Sequence, residues 1–464
     1  MPALEFFGAA QTVTGSMHIL HLPDGPFALD CGLFQGHRID AETLNRRFPV
    51  RPDKLRGVLL SHAHIDHSGK APLLCKQSFD GRIHATNATV DLCEVMLADS
   101  GHIHEEDARY WNKKRARREE DKIKPLYTVD DARTAQKFFA AHPYNEPFEF
   151  APGCTARFLE AGHILGSACV LVEVDSSPKM RLLYTGDLGR FDMPILRDPA
   201  CPLPPVDYLI TESTYANRSH DNPTDMKRRL TQVINETRAL GGKVIIPAFS
   251  VGRTQNLVYY LSQAMFDGTL DPLPVYVDSP LSTNVTEVFR KHTECYDEAA
   301  REFWQQEGTI FGHGRITYIT DVESSKRLND LDEPCVIISA SGMCETGRIL
   351  HHLKNNIEKP ENTVVVVGFM AQHTLGRRLM ERRPELKIYG MMYKLLCRVE
   401  VLNGFSAHAD SGALTRCLTP LAKDLKAAFC VHGENGQPEA MRDILREAGC
   451  KEVLIPQRGQ KYQF

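Results

Sequence analysis

Four side chains able to bind metal fall within six positions, His62, His64, Asp66 and His67, directly after the apolar run Val58-Leu59-Leu60. A short apolar stretch that gives way to small and polar residues reads as the end of a buried strand. In an extended chain, side chains two apart point the same way, so His62 and His64 can converge on one point. Asp66 and His67 follow where the chain turns and can face a second point, and Ser68-Gly69 offers a helix start for KAPLLCKQ. Imidazoles clustered with a carboxylate are ligands that zinc and similar transition metals prefer. A second HxH, His102 and His104, sits in a polar helical stretch where residues two apart do not share a face, so no metal is expected there.

Single polar residues recur in the same setting further along. Asp30 closes FALDCG, His163 lies in GHILGS, Asp187 in TGDLGR, Glu212 in DYLITESTY, His408 in GFSAHAD and His432 in VHGENG. Each follows or interrupts a strand-like run, where loops present functional side chains from a rigid scaffold. Nearby glycines permit tight turns and close backbone approach.

The elements that must position these residues change style along the chain. ALEFFGAA, MHILHLP and FALDCG read as strands, residues 87 to 119 as one or two helices, and TARFLEAGHILGSACVLVEV and RLLYTGDLGR as strand-rich segments. From about 223 to 385, helices and strands alternate, with one long helix after PVYVD reaching to about 306. Near-continuous apolar strands such as VVVVGF predict a parallel sheet covered on both faces. After about 388, the β-rich style returns in KIYGMM and CRVEVLNGF, followed by KAAFCVHG and EVLIP. The expected organisation is a first domain over 1–208, an inserted α/β domain over 209–387 and a return to the first domain over 388–464.

Composition bounds the possibilities. With 464 residues, 42% hydrophobic and 25% charged, the chain can bury a large core and divides into several domains. Its first 20 residues lack the basic start and apolar centre of a secretory signal, and no apolar run is long enough to span a bilayer. Thirteen cysteines without CxxC spacing point to reduced thiols and a cytoplasmic location. A net charge of −4 gives no global footprint for a polyanion, so any nucleic-acid affinity must be local. The run KKRARREEDKIK at 113 to 124 reads as a solvated helical face, and Arg377, Arg378, Arg382 and Arg383 are candidates for lining an interdomain groove.

Asp30, HAHIDH at 62 to 67, His163, Asp187, Glu212, His408 and His432 together resemble, in order and context, the motif set of the metallo-β-lactamase superfamily's β-CASP branch. That branch includes RNA-processing metallo-ribonucleases related to the cleavage and polyadenylation endonuclease subunit. TESTY, FSAHAD and VHGE carry the likeness to the branch, which covers essentially the whole chain. The resemblance implies an αββα sandwich with an inserted Rossmann-like α/β domain. It also implies one ion on His62, His64 and His163 and another on Asp66, His67 and His432, with Asp187 bridging them and Asp30 fixing a ligand histidine. Zinc is favoured by the histidines, and manganese suits similar sites. By the same resemblance, Asp66 orients the attacking water, His408 is the general acid that protonates the leaving oxygen, and Glu212 stabilises its imidazolium. A histidine at position 432 is typical of RNA-acting members.

Ser406, Arg253 and Arg348 are candidate phosphate contacts. The glycine-rich SASGMCETG before a helix suits an anion or is simply a strand-to-helix turn. The function expected is a two-metal ribonuclease that cuts single-stranded RNA in a cleft between the two domains, endonucleolytically, in RNA processing or decay, with a homodimer expected at family level. A DNA nuclease, a small ester or thioester hydrolase and an inactive RNA-binding subunit are the rival readings.

Overall fold

Alternation along the strands sets the layers. In Met180–Tyr184, the side chains of Met180, Leu182 and Tyr184 enter one core, while Leu183 enters a different one on the opposite face. Ala168–Val174 does the same, with Val170, Val172 and Val174 on the first side and Cys169 and Leu171 on the second. A period of two with apolar residues on both faces demands cover on both sides. The computed structural model describes residues 2–36, 38–116, 121–176, 179–220, 223–312, 315–368 and 370–464. Among these the chain forms two compact units, one made of 1–191, 198–219 and 408–464, the other of 192–197 and 220–407.

The first unit contains two seven-stranded sheets. The first sheet runs, in spatial order, Lys461–Gln463, Ala3–Phe6, His18–Leu22, Gly25–Leu29, Gly57–Leu59, Arg82–Thr86 and Phe139–His142. The second runs Val453–Leu454, Ala427–Cys430, Tyr208–Thr211, Met180–Tyr184, Ala168–Val174, Cys154–Glu160 and Phe148–Ala151. Leu4, Leu20, Leu29 and Leu59 of the first sheet meet Phe158, Val170, Leu182 and Phe429 of the second in one core. Helix Asn87–Ala116 covers the first sheet at Arg82–Thr86 and Phe139–His142. Helices Ser411–Leu418 and Gln437–Glu447 cover the second through Leu414, Leu418, Met441 and Leu445. The layers are α, β, β, α, as expected.

The second unit is built on a six-stranded sheet whose pairings are all parallel. Its order is Ile316–Ile319, Val275–Asp278, Val336–Ser339, Val244–Pro247, Thr363–Val367 and Arg398–Leu402. Val244–Pro247, Val336–Ser339 and Thr363–Val367 are buried throughout, which is why their sequences show no alternation.

Two local expectations change. The single long helix after PVYVD is divided into Pro280–Lys291 and Glu298–Glu307, because Asp297 caps the second by accepting a hydrogen bond from the Ala300 amide at 2.6 Å. CRVEVLNGF does not belong to the returning β-rich part, since Arg398–Leu402 pairs in parallel with Thr363–Val367 and completes the six-stranded sheet. Helix Asn87–Ala116 is continuous, so residues 87 to 116 form one helix rather than two. Of the basic run at 113 to 124, residues 117–120 lie outside the described residues, and Lys114 rests against the rings of Tyr110 and Trp111. Among the described residues, no helix is long and apolar enough to cross a membrane.

Candidate metal centre

The strand Gly57–Leu59 ends in extended chain, and a single helical turn, Ile65–Ser68, follows with His64 at its N-cap position. Extended chain points His62 and His64 the same way, and the turn carries Asp66 and His67 to the other side. Gly32 makes this possible, because a Cβ there would lie 1.6 Å from the Asp66 carbonyl oxygen. His163, Asp187, Glu212 and His432 each follow a strand of the second sheet and reach the same end of the sandwich.

Two clusters result. In the first, His62 Nε2 lies 3.1 Å from His64 Nδ1, His163 Nε2 lies 3.2 Å from His64 Nδ1, and both Nε2 atoms lie 3.6 Å from Asp187 Oδ2. In the second, His67 Nε2 is 3.2 Å from His432 Nε2, and Asp66 Oδ2 is 3.4 Å from His432 Nε2 and 3.8 Å from His67 Nε2. Asp187 turns its other oxygen to this group, with Oδ1 3.4 Å from His67 Nε2. One carboxylate therefore faces both clusters.

These residues fit divalent ions. Tetrahedral zinc with ligands at about 2.05 Å requires ligand-to-ligand edges of roughly 3.3 Å, close to the separations seen here. Asp187 Oδ1 is buried without a hydrogen-bond partner, an expensive state unless a cation meets it. Burial, together with the neighbouring histidines, pushes His62 and His163 well below the ordinary histidine range and His64 to about 4, which keeps them in the neutral form a metal requires. Burial alone would raise Asp187, but His432, His67 and His408 outweigh it and hold the group well below the usual carboxylate range.

Asp30 organises the second cluster from behind. Its backbone is in the left-handed region, at φ 63°. His67 Nδ1 donates to Asp30 Oδ2 at 2.6 Å, which leaves Nε2 for a metal. Ser61 donates to the same carboxylate through its amide, at 2.7 Å, and its hydroxyl, at 2.8 Å. The Ser61 hydroxyl lies 3.0 Å from His62 Nδ1, which links the two clusters through one carboxylate. Tyr184 donates its hydroxyl to Asp30 Oδ2 at 2.5 Å. Ser61, Tyr184 and Thr214, whose hydroxyl lies 3.1 Å from His432 Nδ1, were not singled out by the sequence reading. The position of Tyr184, directly before TGD and inward on its strand, was the one available signal.

His408 stands beside the first cluster, its ring centroid 4.4 Å from that of His163. Its Nδ1 donates to Glu212 Oε2 at 3.1 Å and lies 3.8 Å from Asp187 Oδ2. Burial works against its charge, yet Glu212 and Asp187 raise its pKa to about 9. Glu212 is held in turn by the Leu188 amide, and His408 by a β-bridge to Gly189. Asp187, Glu212 and His408 also form a group close enough to hold an ion, but an imidazole kept protonated at neutral pH is a poor ligand.

Ser406, Arg253 and Arg348 lie in the second unit. Ser406 is buried, and Arg253 donates to the Val367 carbonyl and covers the Phe405 ring. The Arg348 guanidinium is taken up by Asp278 Oδ1 at 2.7 Å and the carbonyls of Ile319 and Thr320, which removes it from the candidate phosphate contacts. Among the described residues, His102 and His104 join no cluster of potential ligands, and the His104 ring meets that of Tyr127 edge-on.

An αββα sandwich that gathers five histidines and two aspartates in this way has the architecture of a metal-dependent hydrolase. Residues 23–247 match the family profile described as metallo-beta-lactamase superfamily, 254–379 the beta-Casp domain, and 392–456 the Zn-dependent metallo-hydrolase RNA specificity domain. A ribonuclease of Thermus thermophilus is 32% identical over 98% of both chains, and an RNase J-like protein of Methanocaldococcus jannaschii is 30% identical over 99% of both. The transcription termination factor FttA of M. jannaschii is 29% identical over 98% of this chain and 70% of its own. A crystallised protein of unknown function from Enterococcus faecalis has the same fold, with a TM-score of 0.60 at 12% identity over 99% of both chains. The chain belongs to the β-CASP branch of the metallo-β-lactamase superfamily, a fold that implies divalent-metal binding.

Proposed function

We propose that the protein is a two-metal ribonuclease that hydrolyses phosphodiester bonds of single-stranded RNA endonucleolytically, in RNA processing or decay, in the reducing environment of the cytoplasm. The observation that carries this reading is the Glu212–His408 pair beside two ligand clusters that share Asp187. A small ester or thioester hydrolase needs the clusters alone. The ribonuclease and RNase J-like names of full-length relatives support RNA as the substrate, as does the match to an RNA specificity domain.

His62, His64 and His163 would hold one zinc ion and Asp66, His67 and His432 the other, with Asp187 between them; manganese is the alternative metal. Ions bound there lower the pKa of water and offset phosphoryl charge. Asp66, which is partly exposed, accepts a hydrogen bond from the attacking water and directs it. His408 enters the reaction as an imidazolium. Its Nδ1 proton stays on the ring, donated in a hydrogen bond to Glu212, and its Nε2 proton passes to the leaving oxygen, which departs as a hydroxyl.

Incubation of the metal-loaded protein with matched single-stranded RNA and DNA oligonucleotides tests the reading. RNA cleavage is expected; preferential DNA cleavage, or turnover of a lactone or thioester without nuclease activity, refutes it. His408→Ala is expected to keep its metal content and lose cleavage. Loss of an ion on metal analysis would instead make His408 a ligand.

A further inference from the structure

The strands Glu385–Ile388 and Met391–Lys394 pair only with each other, as a hairpin outside the six-stranded sheet. Leu386 and Ile388 turn into the core. Alternation then places Lys387, Met392 and Lys394 on the opposite, exposed face. The connecting residues, Tyr389 and Gly390, have φ values of 49° and 86°, as in a type I′ turn. Asn-Gly suits this turn best, and a tyrosine in the left-handed region is disfavoured. Tyr389 is nonetheless there, 56% exposed, with its ring against that of His351.

Beside the hairpin lies a cavity of about 570 Å³, lined in part by His373, Arg377, Arg378, Arg383 and Met392. Glu381 accepts from both Arg377, at 2.8 Å, and Arg383, at 3.1 Å. The Arg378 guanidinium has no hydrogen-bond or ion-pair partner among the described residues, and it is exposed. Arg377, Arg378, Arg383, Lys387 and Lys394 set five cations against the three carboxylates of Glu381, Glu385 and Glu358, the last accepting from the Lys394 amide at 3.0 Å, on a chain whose net charge is −4. Lysines on an open hairpin edge are a common guard against aggregation. That need does not account for the neighbouring arginines or for the exposed Tyr389 and Met392, the latter 57% exposed. A second copy of this surface is a poor occupant, since it would bring like charges together.

We propose that this hairpin and the adjoining arginines form an anchoring surface for single-stranded RNA, with residues distinct from those assigned to bond cleavage. The inference rests on the ribonuclease reading. Single strands are bound by cationic grooves that follow the phosphates and by flat or apolar side chains that receive the bases. Arg378, Arg383 and Lys387 supply the first, Tyr389 and Met392 the second.

The test is binding of a labelled, unstructured 20-nucleotide RNA to the full-length, metal-loaded protein in the His408→Ala background, across a salt series. Each phosphate contact contributes about 0.7 to the slope of log affinity against log salt, so Arg378→Ala/Arg383→Ala/Lys387→Ala should lower the slope by about 2. The charge-conserving set Arg378→Lys/Arg383→Lys/Lys387→Arg should keep it. Tyr389→Ala should weaken binding about tenfold and leave the slope unchanged. An unchanged slope and affinity in the triple alanine variant overturns the proposal. So does a changed sedimentation coefficient with unchanged RNA affinity, which would mark a self-association surface. Cleavage by the wild type separates the two readings: RNA hydrolysis with an unchanged slope refutes the anchor alone, whereas RNA binding that needs these residues without any hydrolysis refutes the ribonuclease.

Discussion

Replacing Glu212 by glutamine removes the nearest charge that holds His408 protonated and keeps the shape of the site. Burial opposes the charged form of His408, yet Glu212 and Asp187 raise its pKa from the ordinary 6.5 to about 9. At 1.36 kcal/mol per unit, the imidazolium is stabilised by about 3 kcal/mol relative to a solvated histidine. An opposite charge at this range shifts a pKa by about 1–3 units, and Asp187 and Asp66 remain, so Glu212→Gln should lower the value by about two units. NMR titration of histidine-labelled, metal-free protein reads this directly. A raised folded pKa gives stability that is fully present below the unfolded value of 6.5 and lost as pH rises through about 9. The wild type should therefore lose stability over that window relative to Glu212→Gln. A His408 pKa that moves by less than half a unit would refute the assignment of Glu212 as its partner.

Three further outcomes follow from the same contacts. Tyr184→Phe removes a hydroxyl from buried Asp30 without opening a cavity. It should cost about 1.5–3 kcal/mol in urea unfolding and weaken zinc affinity roughly tenfold by competition with a chelator. Gly32→Ala would drive a Cβ into the Asp66 carbonyl. Metal analysis should show the loss of at least one ion, with far-UV circular dichroism largely kept. Lys70 is buried among Phe7, Phe34 and Phe48 with its pKa lowered to about 8 by burial, so the unfolded chain holds its proton more tightly. Stability should rise between about pH 8 and 10.5 in the wild type, a component that Lys70→Met would lack in melting curves.

Local chemistry was the legible part of this sequence. HAHIDH announced both clusters because four potential ligands lie within six positions, and strand periodicity placed the remaining polar residues at strand ends. Supporting contacts were less visible, since Tyr184 reaches Asp30 only after the two sheets close on each other, and Ser61 only once Gly57–Leu59 pairs with Gly25–Leu29. Arg348 looked available because a sequence cannot show that Asp278 lies opposite it. CRVEVLNGF was assigned to the wrong neighbour for a related reason. A strand's own pattern does not reveal which sheet it joins, and parallel pairing with Thr363–Val367 is a contact between distant segments. The helix break at Asp297 was readable in principle, as an N-cap residue three before Ala300.

The second sheet places Ala427–Cys430 beside Tyr208–Thr211, and His432 follows that late strand. During synthesis, about 220 residues separate Glu212 from His432, which at 5–20 residues per second is on the order of 10–40 s. Throughout that interval, His62, His64, His67 and Glu212 already exist, His408 is added only near its end, and His432 closes it. A nascent chain therefore cannot bring His432 to Asp66 and His67 before residue 432 is made, and an interrupted product ending before residue 408 lacks both His408 and His432. The order of the sequence itself thus delays completion of the second cluster until residue 432 has been made.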